Sequence, residues 1–119
     1  MPWNVQSTDE FAAWLVTLEE EEQDALARSI GLLQEYGPQL ARPHADSLAG
    51  SRHANMKELR TQVAGRPLRT FFAFDPLRSA VLLIGGDKTG DRRFYDRMVP
   101  RADRLYDEWL DALRNEGLI

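Results

Sequence analysis

Three short apolar runs separated by turn signals constrain the fold of this 119-residue chain more than any other feature. The runs cover residues 56–64, 68–74 and 79–85, and each has the length of a β-strand. Gly65-Arg66-Pro67 separates the first two runs and Asp75-Pro76 separates the last two, and such steps are typical of tight turns. Strands with connections this short pair antiparallel, so the sequence predicts a three-stranded meander.

The segment before the meander predicts a short strand followed by helices. Residues 3–6 alternate apolar and polar side chains, as a half-buried strand does. Ser7 with Glu10 three residues later has the pattern of a capping box, and Thr17 with Glu20 repeats that pattern. Apolar residues recur at helical spacing until a Gly-Pro step. We therefore expect a helical hairpin, or one helix with a break near Thr17.

The remaining segments complete a βααβββα order. Residues 37–55 carry two prolines and two glycines and are predicted to be a loop. Pro100 is expected to break any helix, and apolar residues at helical spacing then predict a C-terminal helix to Gly117. We expect one α+β domain over residues 1–119, with helices on one face of a small, mostly antiparallel sheet. The other face would be a shallow working surface.

Composition excludes several classes of protein. The chain has no cysteine, which excludes disulfides, thiolate chemistry and Cys-based zinc sites, and its two histidines are too isolated to indicate a metal. The amino terminus lacks the pattern of a signal peptide, and no apolar run approaches the ~20 residues that span a bilayer. We expect a soluble cytoplasmic protein with no membrane partner and no cofactor.

The net charge of −4 hides an uneven distribution along the chain. Residues 1–50 hold two cations against nine acidic residues, whereas residues 52–104 hold twelve cations against six. A local basic zone can bind phosphates even in an acidic protein. A solvated, salt-bridged surface is the alternative interpretation of the same zone.

Strand alternation assigns the polar residues of the first two runs to faces. Glu58 and Arg60 share one face of their strand and Lys57 points to the other, because residues two apart share a side. Arg69 opens the next run, and a buried arginine is costly unless paired. Arg69 is therefore expected to face solvent or a ligand, or to pair with Glu58 or Glu35.

These features together resemble the RelE/ParE superfamily. They are Met56-Lys57-Glu58-Leu59-Arg60, Arg69 at the start of a Phe-rich strand, and an apolar strand that ends in Gly86-Asp87-Lys88. More narrowly, the chain is similar to the phage-derived, HigB-like branch, and the resemblance covers about residues 1–113. It implies a RelE-like fold and a toxin of a type II toxin–antitoxin system.

The resemblance also implies an activity, partners and site residues. Such toxins are ribosome-dependent mRNA endonucleases that use the RNA 2′-hydroxyl as the nucleophile without a metal, and a HigA-like helix-turn-helix antitoxin neutralises them. The implied partners are therefore that antitoxin, the ribosome and mRNA. The candidate catalytic residues are Arg60, Arg69, Lys88, Tyr95 and Lys57. The candidate RNA-binding residues are His53, Arg92, Arg93 and Arg97.

Two other functions stay open at this point. A ParE-like toxin that inhibits gyrase would share the fold but lack the nuclease residues, and Arg60, Arg69 and Lys88 argue against it. A non-catalytic binding module is favoured by the acidic amino-terminal half and by the sequence pI near 5.1.

Overall fold

The computed structural model describes residues 2–119 and has the expected α+β architecture. Strand and helix order is β1 α1 α2 β2 β3 β4 β5 α3, with a 3-10 turn after α2. The bounds are β1 Val5–Ser7, α1 Asp9–Leu15, α2 Glu20–Tyr36, 3-10 Gly37–Gln39, β2 Ala45–Ser47, β3 Lys57–Val63, β4 Arg66–Phe74, β5 Ala80–Asp87 and α3 Phe94–Asn115. None of the helices within residues 2–119 has the length and apolar character needed to cross a membrane.

The sheet contains the predicted meander and two further short strands. Strands β3, β4 and β5 pair antiparallel in sequence order, which confirms the meander. The sheet order is β1-β5-β4-β3-β2, with β1 parallel to β5. Strand β2 lies within residues 37–55, so the prediction of an uninterrupted loop there is wrong. Its three residues pair antiparallel with β3, a long-range contact that no local pattern of the loop indicates.

Both amino-terminal helices begin at residues other than those predicted. Ser7 belongs to β1, and the cap of α1 is Thr8, whose Oγ1 accepts a hydrogen bond from Phe11 N at 3.0 Å. Helix α2 begins after Glu19, whose side chain forms a reciprocal capping box with Glu22. The hairpin itself is confirmed, because residues 16–19 separate α1 from α2.

A glycine and a proline in the carboxy-terminal half take positions that depend on tertiary packing. Gly85, the last residue of the third predicted run, lies inside β5, and a Cβ there would come within 2.2 Å of the Trp14 ring. Glycine thus permits close packing of an aromatic ring on the strand. Pro100 lies inside α3, so the prediction that it breaks the helix is wrong. Its neighbours Val99 and Ala102 are buried on the sheet, and this packing offsets the lost hydrogen bond.

Helices cover both faces of the sheet, which corrects the expectation of one open face. Alternate residues of β4 point in opposite directions: Phe72 packs in a cluster with Leu26 and Leu33 of α2. Phe71 and Ala73 instead pack in a second cluster with α3.

Candidate functional site

A buried carboxylate on β3, Glu58, forms the centre of a polar cluster between the sheet and the start of α3. Only 3% of Glu58 is exposed. Its Oε2 accepts hydrogen bonds from Arg60 Nε at 3.2 Å and Arg60 Nη2 at 3.1 Å. Its Oε1 accepts one from the Tyr95 hydroxyl at 2.7 Å and lies 3.6 Å from Arg69 Nε. A carboxylate this buried requires such partners, so Glu58 orients all three side chains.

Arg60 bridges two carboxylates that face each other across strands β2 and β3. Asp46 and Glu58 are register partners, and like charges in that position repel. Arg60 Nη2 lies 3.4 Å from Asp46 Oδ2 and 3.1 Å from Glu58 Oε2, which relieves the repulsion. The Arg42 guanidinium also hydrogen-bonds Asp46 and lowers the pKa of that carboxyl. Arg42, Arg60 and Arg69 thus share two carboxylates, which leaves an excess of positive charge.

Arg69 lies directly opposite Arg60 in the register of β3 and β4. Its side chain is 11% exposed, and its Nη1 donates to Leu68 O at 3.1 Å. Within residues 2–119 its buried Nε has no hydrogen-bond partner. Two guanidinium groups on neighbouring strands thus face the same region, and one of them retains an unused donor.

Tyr95, in the first turn of α3, supplies a neutral phenol to this cluster. Burial raises the pKa of Tyr95, and the hydrogen bond to Glu58 raises it further, although the Arg69 charge opposes both effects. The phenol is therefore protonated at neutral pH and acts as a donor. Lys88 Nζ lies 5.4 Å from the centre of the Tyr95 ring, within the range of a cation–π contact.

Local packing explains why Tyr95 reaches the sheet. Gly86 of β5 has no side chain, and a Cβ there would lie 2.9 Å from the ring of Phe94. Phe94 fills this space and stacks on Phe71, with ring centroids 5.9 Å apart. This buried ring anchors the start of α3 and brings the adjacent Tyr95 to Glu58.

The structure does not bring Lys57 and His53 into the cluster. Lys57 points to the opposite face of β3, where its Nζ lies 3.4 Å from Pro38 O. His53 Nε2 lies 2.7 Å from Asp107 Oδ1, twelve residues beyond Tyr95, or about 18 Å along α3. His53 also packs edge-on against Tyr106 and connects its loop to the middle of that helix.

The other predicted cations flank the cluster. Arg92 and Arg93 are exposed in the turn between β5 and α3, and Arg93 directly precedes the helix. Arg97 is bound to Asp91, with Nη2 2.6 Å from Oδ2. These arginines can attract a polyanion toward the cluster, but they do not contact its residues in the structure.

Glu58 is the residue that sequence reasoning missed as a member of the site. Alternation correctly places Glu58 on the same face as Arg60. However, an acidic residue two positions from a cation is equally consistent with a surface ion pair. The useful signal is its apolar chain neighbours, since Met56 and Leu59 are both fully buried.

The arrangement is chemically suited to an anion with several oxygens. Arg60 and Arg69 offer planar forks that match phosphate geometry, and Tyr95 and Lys88 supply a neutral donor and a further cation. Within residues 2–119, no group of three or more His, Asp or Glu side chains is placed to hold a metal ion.

Solved structures define the class of this fold. A double mutant of the Escherichia coli toxin RelE in the free state superposes with a TM-score of 0.59 at 12% identity, covering 85% of this chain and 98% of that chain. The RelE–RelB complex from the archaeon Pyrococcus horikoshii gives a TM-score of 0.55 at 14% identity, covering 76% and 99%. The chain therefore has the RelE-like fold, as predicted.

Sequence comparison then identifies the family. The family of phage derived, Gp49-like proteins matches residues 13–107, and the chain belongs to this family. A Mycobacterium tuberculosis (strain ATCC 25618 / H37Rv) protein bearing the toxin name HigB3 is 44% identical over 105 residues, 87% of this chain and 90% of that protein. HigB2 of the same strain is 41% identical over 104 residues, which cover 86% of this chain and 52% of that protein. The chain is thus a HigB-like toxin by sequence and has the RelE-like fold.

Proposed function

We propose that this toxin is a ribosome-dependent mRNA endonuclease. The observation that carries the proposal is the pairing of Arg60 with Arg69 across neighbouring strands, beside a phenol that keeps its proton. This set of groups suits a phosphodiester whose charge increases in the transition state. The named relatives support a toxin, and the fold is compatible with the activity.

The proposed reaction needs only the RNA and the polar groups of the cluster. The 2′-oxygen attacks the adjacent phosphorus, the bond from phosphorus to the 5′-oxygen breaks, and a 2′,3′-cyclic phosphate forms. Arg60 and Arg69 bind the non-bridging oxygens. The Tyr95 hydroxyl turns from Glu58 to the leaving 5′-oxygen, donates its proton there and regains a proton from solvent. The 2′-hydroxyl proton passes to solvent, because neither His53 nor Lys57 reaches the cluster.

Glu58 has a positioning role in this proposal. A ribose hydroxyl cannot reach a carboxylate that is 3% exposed, so Glu58 does not act on the substrate directly. It fixes the Arg60 guanidinium through two hydrogen bonds and the Tyr95 hydroxyl through one. Such pre-positioning avoids reorganisation when the phosphate binds.

We further propose that a cognate antitoxin neutralises the protein, as the complex of an archaeal RelE with RelB suggests by analogy. The antitoxin is expected to be of the HigA-like, helix-turn-helix kind. Co-expression with a candidate antitoxin of the helix-turn-helix kind, followed by affinity capture of the toxin, tests this partner. Recovery of the toxin alone would contradict it.

Cell-free translation tests the nuclease activity. Purified protein should produce new mRNA 5′ ends at codon-phased positions, mapped by primer extension, only when ribosomes are translating. Arg69→Ala should abolish these ends, whereas Arg104→Ala should not, because Arg104 pairs with Glu108 on the outer side of α3. A folded Arg69→Ala protein with unchanged cleavage would contradict the proposed role of Arg69.

One observation favours a second candidate, the non-catalytic binding module. Glu58 and Asp46 occupy the guanidinium groups that a nuclease would offer to phosphate. Absence of new mRNA ends from a folded wild-type protein with translating ribosomes would support this candidate. Induction of the DNA-damage response on expression would instead point to a gyrase inhibitor.

A further inference from the structure

A groove opens beside the Glu58 cluster, where strand β2 ends and the edge of β3 is uncovered. The pairing of β2 with β3 extends only to Ala45 opposite Leu59, and Arg60 N then donates to His44 O at 2.8 Å. Beyond this bond, residues 61–63 of β3 form the edge of the sheet. A cavity of about 510 Å³ lies there between β3 and α2.

A buried hydrogen bond forms the base of the groove, and its lining has polar and apolar parts. Thr61 Oγ1 donates to Ser29 Oγ at 2.7 Å, and both residues are buried, so this bond joins β3 to α2 beneath the groove. Leu32 and Pro43 add apolar surface to the lining. A groove with apolar and hydrogen-bonding walls suits a nucleotide better than a bare ion.

The lining is basic although the surrounding half of the chain is acidic. Arg28, His44, Arg60 and Arg69 line the groove, and none of the lining residues is acidic. Arg28 is the only cation of α2, a helix that carries five acidic residues outside the groove. Its side chain forms no ion pair within residues 2–119, although Asp24 precedes it by one turn. The Arg28 charge therefore faces the groove without an ion-pair partner on its own helix.

The groove is continuous with the proposed catalytic cluster. Arg60 and Arg69 belong to both, because Arg60 lies on β3 just beyond the last pair with β2, and Arg69 lies opposite it on β4. Arg69 also has a buried Nε with no hydrogen-bond partner among residues 2–119. A phosphodiester chain bound at these two arginines can therefore continue directly into the groove.

We propose that this groove binds the nucleotide next to the cleaved phosphodiester of a single-stranded RNA. Arg28 contacts the neighbouring phosphate, and the His44 ring provides a surface on which the adjacent base stacks. The proposal rests on the proposed nuclease function for the identity of the polymer as RNA. An acidic segment of a protein partner would bind to the same charges, so RNA and an acidic peptide must be compared as ligands.

Binding of an uncleavable RNA tests the groove without requiring activity. The probe is a fluorescent RNA tetranucleotide with a 2′-deoxyribose at its second position, measured by anisotropy across a range of salt concentrations. Arg28→Ala should weaken binding at least about tenfold, since a hydrogen bond to a charged phosphate is lost. The slope of log Kd against log salt should fall by about 0.7, the value for one phosphate contact on a single strand.

The matched control is Arg114→Ala, which removes the same charge from an exposed position near the end of α3. Equal effects of Arg28→Ala and Arg114→Ala would overturn the proposal, because net charge would then explain both. His44→Ala should also weaken binding, with an unchanged salt slope, because it removes stacking and no phosphate contact.

A glutamate-rich peptide serves as the competing probe. Arg28-dependent binding of the peptide without Arg28-dependent binding of the RNA would overturn the proposal in favour of a protein partner. An absence of RNA binding by the wild-type protein would also overturn it. If the RNA binds through Arg28 but translating ribosomes show no cleavage, the nuclease proposal fails and the RNA groove stands.

Discussion

Replacing Glu58 should destabilise the protein far more than replacing any exposed acidic residue. Glu58→Gln keeps the shape of the side chain but removes the charge that Arg60 and Arg69 face, and it adds an amide donor where other donors already point. Breaking a buried ion pair costs about 3–5 kcal/mol. The Arg60 side chain is 31% exposed, so water screens part of its charge, and we expect the lower value, about 3 kcal/mol.

A thermal melt monitored by circular dichroism at neutral pH provides the assay. For a chain of this length a loss of 1 kcal/mol lowers Tm by about 4 °C, so Glu58→Gln should melt about 12 °C below the wild type. The pairwise part is isolated by a double-mutant cycle with Arg60→Gln, which should give a coupling free energy of about 2 kcal/mol.

The exposed pair Arg104–Glu108 on α3 is the matched control for this cycle. Its two side chains are 56% and 55% exposed, and such helix pairs contribute about 0.3–0.5 kcal/mol. A Glu58–Arg60 coupling no larger than this control would refute the reasoning. Glu58 would then be an ordinary surface acid and not the residue that orients the site.

Three further perturbations have defined outcomes. Because the pKa of Tyr95 is raised, its neutral form contributes stability that is present below the unfolded pKa near 10 and is lost as pH rises through the folded pKa. The difference in phenolate absorbance between the wild type and Tyr95→Phe reports this one residue, and it should titrate above the ordinary tyrosine range. Titration at or below that range would contradict the burial argument. Gly85→Ala should lower the free energy of unfolding by about 1–3 kcal/mol, because its Cβ overlaps the Trp14 ring; denaturant unfolding should show partial recovery in Gly85→Ala with Trp14→Leu, and none would point to another cause. His53→Ala should lower Tm but leave mRNA cleavage unchanged, since His53 pairs with Asp107 outside the cluster; lost cleavage at unchanged Tm would restore His53 as an RNA ligand.

The ion pairs also explain how an acidic protein can keep a basic site. Asp46 and Glu58 offset much of the charge of the arginines at the cluster, while Lys88 and the turn that follows it keep their positive charge at its margin. The net charge of −4 therefore says little about the local potential that a phosphate would meet.

The sequence by itself determined the elements whose signal is local. Alternating apolar residues and tight turns predicted the antiparallel meander, and helical spacing predicted the hairpin and the carboxy-terminal helix, because these periodicities follow from backbone geometry alone. Alternation also placed Glu58 and Arg60 on the same side of β3.

Tertiary structure decided what depends on contacts between distant segments. Alternation cannot tell which face a helix covers, so α3 on the face opposite α1 and α2 was not predictable from the spacing. Packing of Val99 and Ala102 carries α3 through Pro100 despite the missing backbone donor. Tyr95 reaches Glu58 across 37 positions of sequence because Phe94 fills the space over Gly86. The site forms only when the sheet and this helix pack together, because its charged and polar side chains come from β3, β4 and α3.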